Sequence, residues 1–233
     1  MFGFIRTIIH PVMRSWVGAL ADSAEGIPQA GLTGSHSVDG PRKLRILLIG
    51  GGRAAGYGVL SHDMGFTGYL TRTLAAILDR GVGLDAFTSV RLTATRALAA
   101  AELVDADAYD VVILMVGTYD LVVLTPAASF GSRMEKLVDR FDSGEDGPVL
   151  FVAEIPRLPS ATGIRGVPTS LGNKHLPRLA AELDGVLRKH PSAIALQLTD
   201  PVAADVNDRK MAKRYLRWGA EAASAIAVHL GDL

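Results

Sequence analysis

Arg53, Arg91, Arg157 and Arg209 each fall at or just after the end of a strand-like run. A parallel sheet gathers such ends at one rim. A guanidinium pairs with carboxylate or phosphate through two parallel N–H donors, so arginines fanned around that rim would hold a small anion. The competing reading is that they pair with Asp120, Glu154, Asp205 or Asp208, as rim charges commonly do. Beside Arg53 stands the run Gly50-Gly51-Gly52. Glycines at 51 and 52 let a ligand approach the backbone and leave N–H groups uncovered. The segment after them leads toward a helix whose N-terminal end adds partial positive charge. Tyr119 is a neutral donor for the same anion.

Other chemistry is weaker in the sequence. Ser61-His62-Asp63 sets the residue types of a serine-hydrolase triad side by side. Adjacent residues cannot converge as a triad does, because that geometry draws on distant parts of a chain. The stretch reads as a surface loop, and a triad of Ser61 or Ser89 with His62 requires the loop to fold over the strand ends. His175 and His190 belong to a helix, His229 lies near the chain end, and His10 and His36 precede the main domain. No His, Asp or Glu pair has metal-site spacing, so no metal and no cofactor is expected. Gly50-x-Gly52-x-x-Ala55 fits a relaxed dinucleotide fingerprint, but the acid due roughly 20 residues later is missing and the second strand ends on Arg91.

The elements that must position these residues alternate along the chain. Strand-like runs cover 44–50, 84–92, 109–117, 148–155 and 193–200. Helical patterns cover 68–81, 95–103, 127–141, 173–190 and 209–230. Strands alternating with helices predict a three-layer α/β/α sandwich around a five-stranded parallel sheet, with ligands beyond the strands' carboxyl ends. Before this domain, read over 43–233, come an amphipathic helix (1–20) and a glycine-rich linker (21–42). Ile5, Ile8, Ile9, Val12, Met13, Trp16, Val17 and Leu20 form the apolar stripe of the helix, opposite Arg6, His10 and Arg14. Those three residues and Pro11 argue against a cleaved signal. The helix is expected to dock on its own domain, a second copy or a protein partner; a membrane-surface anchor carries more positive charge than this face does.

The totals narrow the function classes. In 233 residues, 24 basic and 24 acidic side chains balance, which gives no net field toward nucleic acid or anionic lipid. No apolar run reaches the roughly 18 residues of a membrane span. Cysteine is absent, so thiolate catalysis and disulfides are excluded, and a cytoplasmic location, with peripheral membrane contact as the alternative, suits the composition.

Three segments then carry a resemblance. "LLIGGGRAAGYGVLSH" after the first strand, "VVILMVGTYDLV" after the third and the closing "DVNDRKMAKRYLRWGAEAASAIA" resemble, in order, three motif blocks of the SGNH/GDSL hydrolases. Those blocks are Gly-Asp-Ser followed by Gly-x-Gly, Gly-x-Asn-Asp, and Asp-x-x-His before a final helix, of whose pattern Tyr215, Trp218 and Ala220 keep part. The resemblance spans about 43–231. It implies an esterase-type fold, and it sets the family's serine nucleophile at Gly52, with the preceding aspartate at Gly51. The oxyanion-hole glycine falls near Thr93 and the oxyanion-hole asparagine at Tyr119. The next aspartate survives as Asp120. The catalytic histidine falls at Asp208 or Arg209, and its aspartate partner at Asp205.

Those replacements remove the inherited chemistry. Serine acyl transfer needs a hydroxyl, a base in reach of it, and donors aimed at the oxyanion. Glycine has no hydroxyl, and neither aspartate nor arginine is a base poised near neutral pH. Tyr119 alone could keep part of a role, by donating its O–H. The expectation is a non-catalytic relative that serves as a binding or assembly module and holds a small anion. The alternative is a hydrolase of small esters with a relocated nucleophile.

Overall fold

The computed structural model describes residues 33–56, 58–142, 144, 147–158, 167–199 and 208–231. The helix read over 1–20 and the first part of the linker lie outside the described residues. Within them the strands are β1 (Thr33–Val38), β2 (Leu44–Gly50), β3 (Val82–Thr88), β4 (Val111–Met115), β5 (Val149–Ala153) and β6 (Ile194–Leu196). They form one sheet in the order β1-β3-β2-β4-β5-β6. From β3 to β6 every pairing is parallel, and β1 joins the β3 edge antiparallel.

The apolar runs become central strands because both faces of the sheet are covered. Leu47, Ile49, Val112 and Leu114 pack under one helical layer, made of α2 (Ala94–Ala101), the short α3 (Thr118–Val122), α4 (Ala127–Asp139) and α5 (Val167–Lys189). Ile46, Leu48, Val111 and Ile113 face the other layer, α1 (Phe66–Leu78) and α6 (Asp208–Gly231). Each of these fully buried side chains contributes roughly 1.5–3 kcal/mol by leaving water. On α6, Tyr215, Trp218, Ala222 and Ile226 recur at helical spacing and are buried. Gly219 lets α6 cross α1 closely, since a Cβ there would lie 2.6 Å from the Tyr69 Cβ.

The sheet has six strands, not the expected five. The extra one, β1, comes from the stretch read as a linker. Its sequence, Thr-Gly-Ser-His-Ser-Val, carries no apolar alternation because an edge strand is held by backbone pairing, here with β3 from Thr33↔Phe87 to Val38↔Val82. Elsewhere the difference lies at element ends. The strand read over 84–92 stops at Thr88, where Ser89 opens a turn: its Oγ accepts the Arg91 N–H and its carbonyl accepts the Leu92 N–H. That turn brings Thr93 to the N-cap of α2.

Candidate functional site

The carboxyl end of β2 lies between β3 and β4, with Gly50 opposite Thr88 and Met115. Here the strand order reverses, which is the usual ligand position in an open α/β sheet. The chain then enters a 3-10 turn over Gly52–Ala55 that is buried throughout. Gly51 does not offer an open N–H, as the sequence suggested. That group donates to the Met115 carbonyl at 2.8 Å and extends the β2–β4 ladder by one residue.

Gly52 has φ +54°, a left-handed conformation that favours glycine. A Cβ built there would lie 2.6 Å from Thr118 Oγ1 and 3.0 Å from both Thr118 carbons, Cβ and Cγ2. The space a side chain at 52 would need is therefore filled by Thr118, from the turn after β4. Thr118 is itself buried. Sequence reasoning passed over it; its only signal was the position directly after Gly117 in the "GTYD" block.

Arg53 turns inward and does not face the rim. It is 4% exposed, donates from Nη1 to the Leu198 carbonyl at 3.2 Å, and stacks its guanidinium 4.9 Å above the Trp218 ring. Trp218 is fixed by its Nε1–H, which donates to the Thr199 carbonyl at 2.9 Å. A cation over an indole face, held in the α6 layer, belongs to the packing of that layer.

Asp120 ties two loops together. Thr125 Oγ1 donates to its Oδ1 at 2.7 Å, and the Ala94 N–H at the start of α2 donates to Oδ2 at 2.9 Å. Burial pushes its carboxyl above the ordinary aspartate range, against the opposing pull of the Thr125 and Ala94 donors. Asp120 thus joins the turn after β4 to the N-terminus of α2 and pairs with none of the rim arginines.

Beside this knot lies a cleft of about 520 Å³, lined among others by Arg91, Thr93, Arg96, Tyr119 and Thr125. Two of the predicted ligands, Arg91 and Tyr119, meet here, together with Thr93, near which the resemblance set the oxyanion-hole glycine. Arg96 was missed, because from sequence it reads as an ordinary solvent-facing residue of a helix. Among the described residues the arginine and lysine ion pairs are Arg45–Asp110, Arg72–Asp63, Lys189–Glu135 and Arg217–Glu221. Among the described residues neither Arg91 nor Arg96 meets a carboxylate. Arg157 and Glu154 are exposed beyond β5, and Arg157 does not line the cleft. Asp205 and the side chains of Asp208 and Arg209 lie outside the described residues.

The Ser-His-Asp stretch does not converge. His62–Met64 forms a 3-10 turn, with the His62 carbonyl accepting from Thr67 Oγ1 and Asp63 facing His36 Nε2 at 3.0 Å. The Ser89 hydroxyl accepts the Arg91 N–H. Among the described residues no cluster of three or more His, Asp or Glu could hold a metal ion, and no helix is long and apolar enough to cross a membrane.

No protein-family model matches the chain, and no curated protein does. Solved structures do. The psychrotrophic esterase EstA from Pseudoalteromonas sp. superposes with a TM-score of 0.58 at 14% identity, over 80% of this chain and 98% of its own. The aryl esterase of M. smegmatis gives 0.54 at 16%, over 82% and 99%. AlinE4, an SGNH-hydrolase family esterase, gives 0.52 at 15%, over 82% and 96%. The fold is that of the SGNH hydrolases. Likeness at this identity concerns the architecture alone: a mostly parallel central sheet with flanking helices. The composition of the rim, with glycine at 52 and Thr118 against it, is read from this chain's own residues.

Proposed function

We propose that this chain is a non-catalytic binding module on an SGNH-type fold, and that it holds a small anion at the carboxyl rim of its sheet. One observation carries the first half: Thr118 occupies the space that a side chain at position 52 would need, 2.6 Å from the place of its Cβ. A serine there would have to displace Thr118 as well as adopt a left-handed backbone. Arg91 and Arg96 beside Tyr119, which meet no carboxylate among the described residues, support the second half. The experiment is to treat the purified protein with a fluorophosphonate probe and to assay p-nitrophenyl acetate against a heat-treated control. Neither labelling nor hydrolysis above the control is expected, and stoichiometric labelling of a serine would overturn the reading.

A second reading, an ester hydrolase with a relocated nucleophile, has one observation in its favour. The Thr118 hydroxyl itself stands where the lost side chain would begin. It needs a base, and the described histidines are engaged elsewhere: His36 with Asp63, His62 with Thr67, His175 with the Thr125 carbonyl, His190 with Asp142, and His229 edge-on to the Phe151 ring. Probe labelling at Thr118 would establish this second reading in place of the first.

A further inference from the structure

Resting on the reading of the rim as an anion site, we infer that the site is the cleft between α2 and the α3–α4 turn, and that Arg91 and Arg96 bind there the phosphoryl group of a small organic phosphate monoester. The argument begins with charge. Two exposed guanidinium groups line one cleft, and among the described residues neither meets a carboxylate. Two monocations match the dianionic form of a phosphate monoester, and each guanidinium fork suits two of its oxygens.

The neighbouring polar groups are set to favour an anion. Thr93 Oγ1 accepts the Arg96 N–H at 3.4 Å, so its own proton remains to donate outward. Tyr119 adds a phenol at the cleft wall. The carboxylate that would repel an anion, Asp120, is 1% exposed and has both oxygens engaged by Thr125 and Ala94. Size decides between a bare ion and an organic ligand. The cleft, at about 520 Å³, falls within the roughly 300–1,000 Å³ range of small-molecule sites and has room beyond one phosphate. Val123 and Pro126 supply an apolar wall for the organic part.

The test is calorimetry on the full chain with phenyl phosphate, inorganic phosphate and phenol, repeated on Arg91→Gln and Arg96→Gln. Both variants change exposed side chains, so their melting curves should match the wild type and confirm folding. Phenyl phosphate should bind more tightly than inorganic phosphate, phenol should not bind, and each variant should weaken phenyl phosphate binding by about tenfold or more, as the loss of one charge-assisted contact does. Equal affinity for the two phosphates would overturn the organic ligand. Unchanged binding in both variants, with loss in Arg157→Gln, would overturn the cleft and leave the rim reading standing. No binding of any anion at millimolar concentration would overturn both, while the absence of serine chemistry would still stand or fall on the probe.

Discussion

At the amino end of the sheet His190 sits between two carboxylates, with Nδ1 2.8 Å from Asp142 Oδ2 and Nε2 3.3 Å from Asp139 Oδ1. Asp142 Oδ1 also accepts from the Ser192 hydroxyl at 2.6 Å. Close by, Lys189 meets Glu135, and Arg45 meets Asp110 across the starts of β2 and β4. At the carboxyl end the pattern reverses. The buried carboxylate, Asp120, is satisfied by a neutral hydroxyl and a backbone N–H, while Arg91 and Arg96 line a cleft where, among the described residues, neither meets a carboxylate. Charge at the amino end joins α4 and α5 to the entry of β6. At the α2 cleft the two guanidinium groups make no such joint, Arg96 Nη1 donating only to the neighbouring Arg91 carbonyl at 3.5 Å among the described residues. That asymmetry, on a fold that places ligands at the carboxyl rim, is the physical reason to look for function there.

The two aspartates should therefore respond oppositely to mutation and to pH. The largest effect is expected from Asp120→Ala, which strands the Ala94 N–H and the Thr125 hydroxyl. Urea denaturation at neutral pH should show a loss of about 1–3 kcal/mol. Asp120→Asn can keep both contacts, with Oδ1 accepting from Ala94 and Nδ2 donating to a rotated Thr125 hydroxyl, so it should stay close to the wild type. Because burial raises the folded pKa of Asp120, the folded state holds that proton more tightly. Its contribution to stability falls as pH rises from the ordinary aspartate value through the raised one. Asp120→Asn should remove that decline; a variant with the wild-type pH slope would show that the burial of this carboxyl is unimportant.

The next effect concerns position 52. Gly52→Ser should cost roughly 1–2 kcal/mol for a left-handed non-glycine residue, plus the displacement of Thr118. It should yield no hydrolysis of p-nitrophenyl acetate. Measurable turnover from this single change would mean that the rest of the catalytic site is intact, and would narrow the difference between the two ends of the sheet.

The smallest effect is expected at the amino end. Asp142→Asn should cost about 1 kcal/mol near neutral pH. The Ser192 hydroxyl, and after it His190, hold the Asp142 carboxyl below its ordinary range, against the opposing effect of partial burial. Its contribution is present above the ordinary aspartate value and is lost as pH falls through the lowered one, the reverse of Asp120. Denaturation midpoints from mild acid downward should converge for the wild type and Asp142→Asn. Parallel curves would mean that the latch carries no pH-dependent stability.

The architecture was legible where a run of residues reports its own environment. Past Arg45 and Asp110 at their starts, "LRILLIG" and "YDVVILMVG" are apolar because both faces of their strands are covered, and Tyr215, Trp218, Ala222 and Ile226 mark the buried face of α6 by helical period alone. The missing hydroxyl at Gly52 could also be read without coordinates, since glycine supplies none in any fold. β1 could not. A polar six-residue edge strand is specified by its backbone partner β3, and nothing in Thr-Gly-Ser-His-Ser-Val reports that partner. The site divides in the same way. Residue type and strand position brought Arg91 and Tyr119 to the rim, but they grouped Arg53 with them, and only packing turned Arg53 under Trp218. Arg96 and Thr118 became visible through contacts between segments far apart in the chain: α2 against the α3–α4 turn, and the end of β2 against the turn after β4. Sequence by itself determined which chemical groups exist and which strand ends carry them. Which of those groups face solvent, which are spent on one another, and which fill the space beside a glycine was decided by tertiary packing, because those are properties of pairs of segments and no single segment contains them.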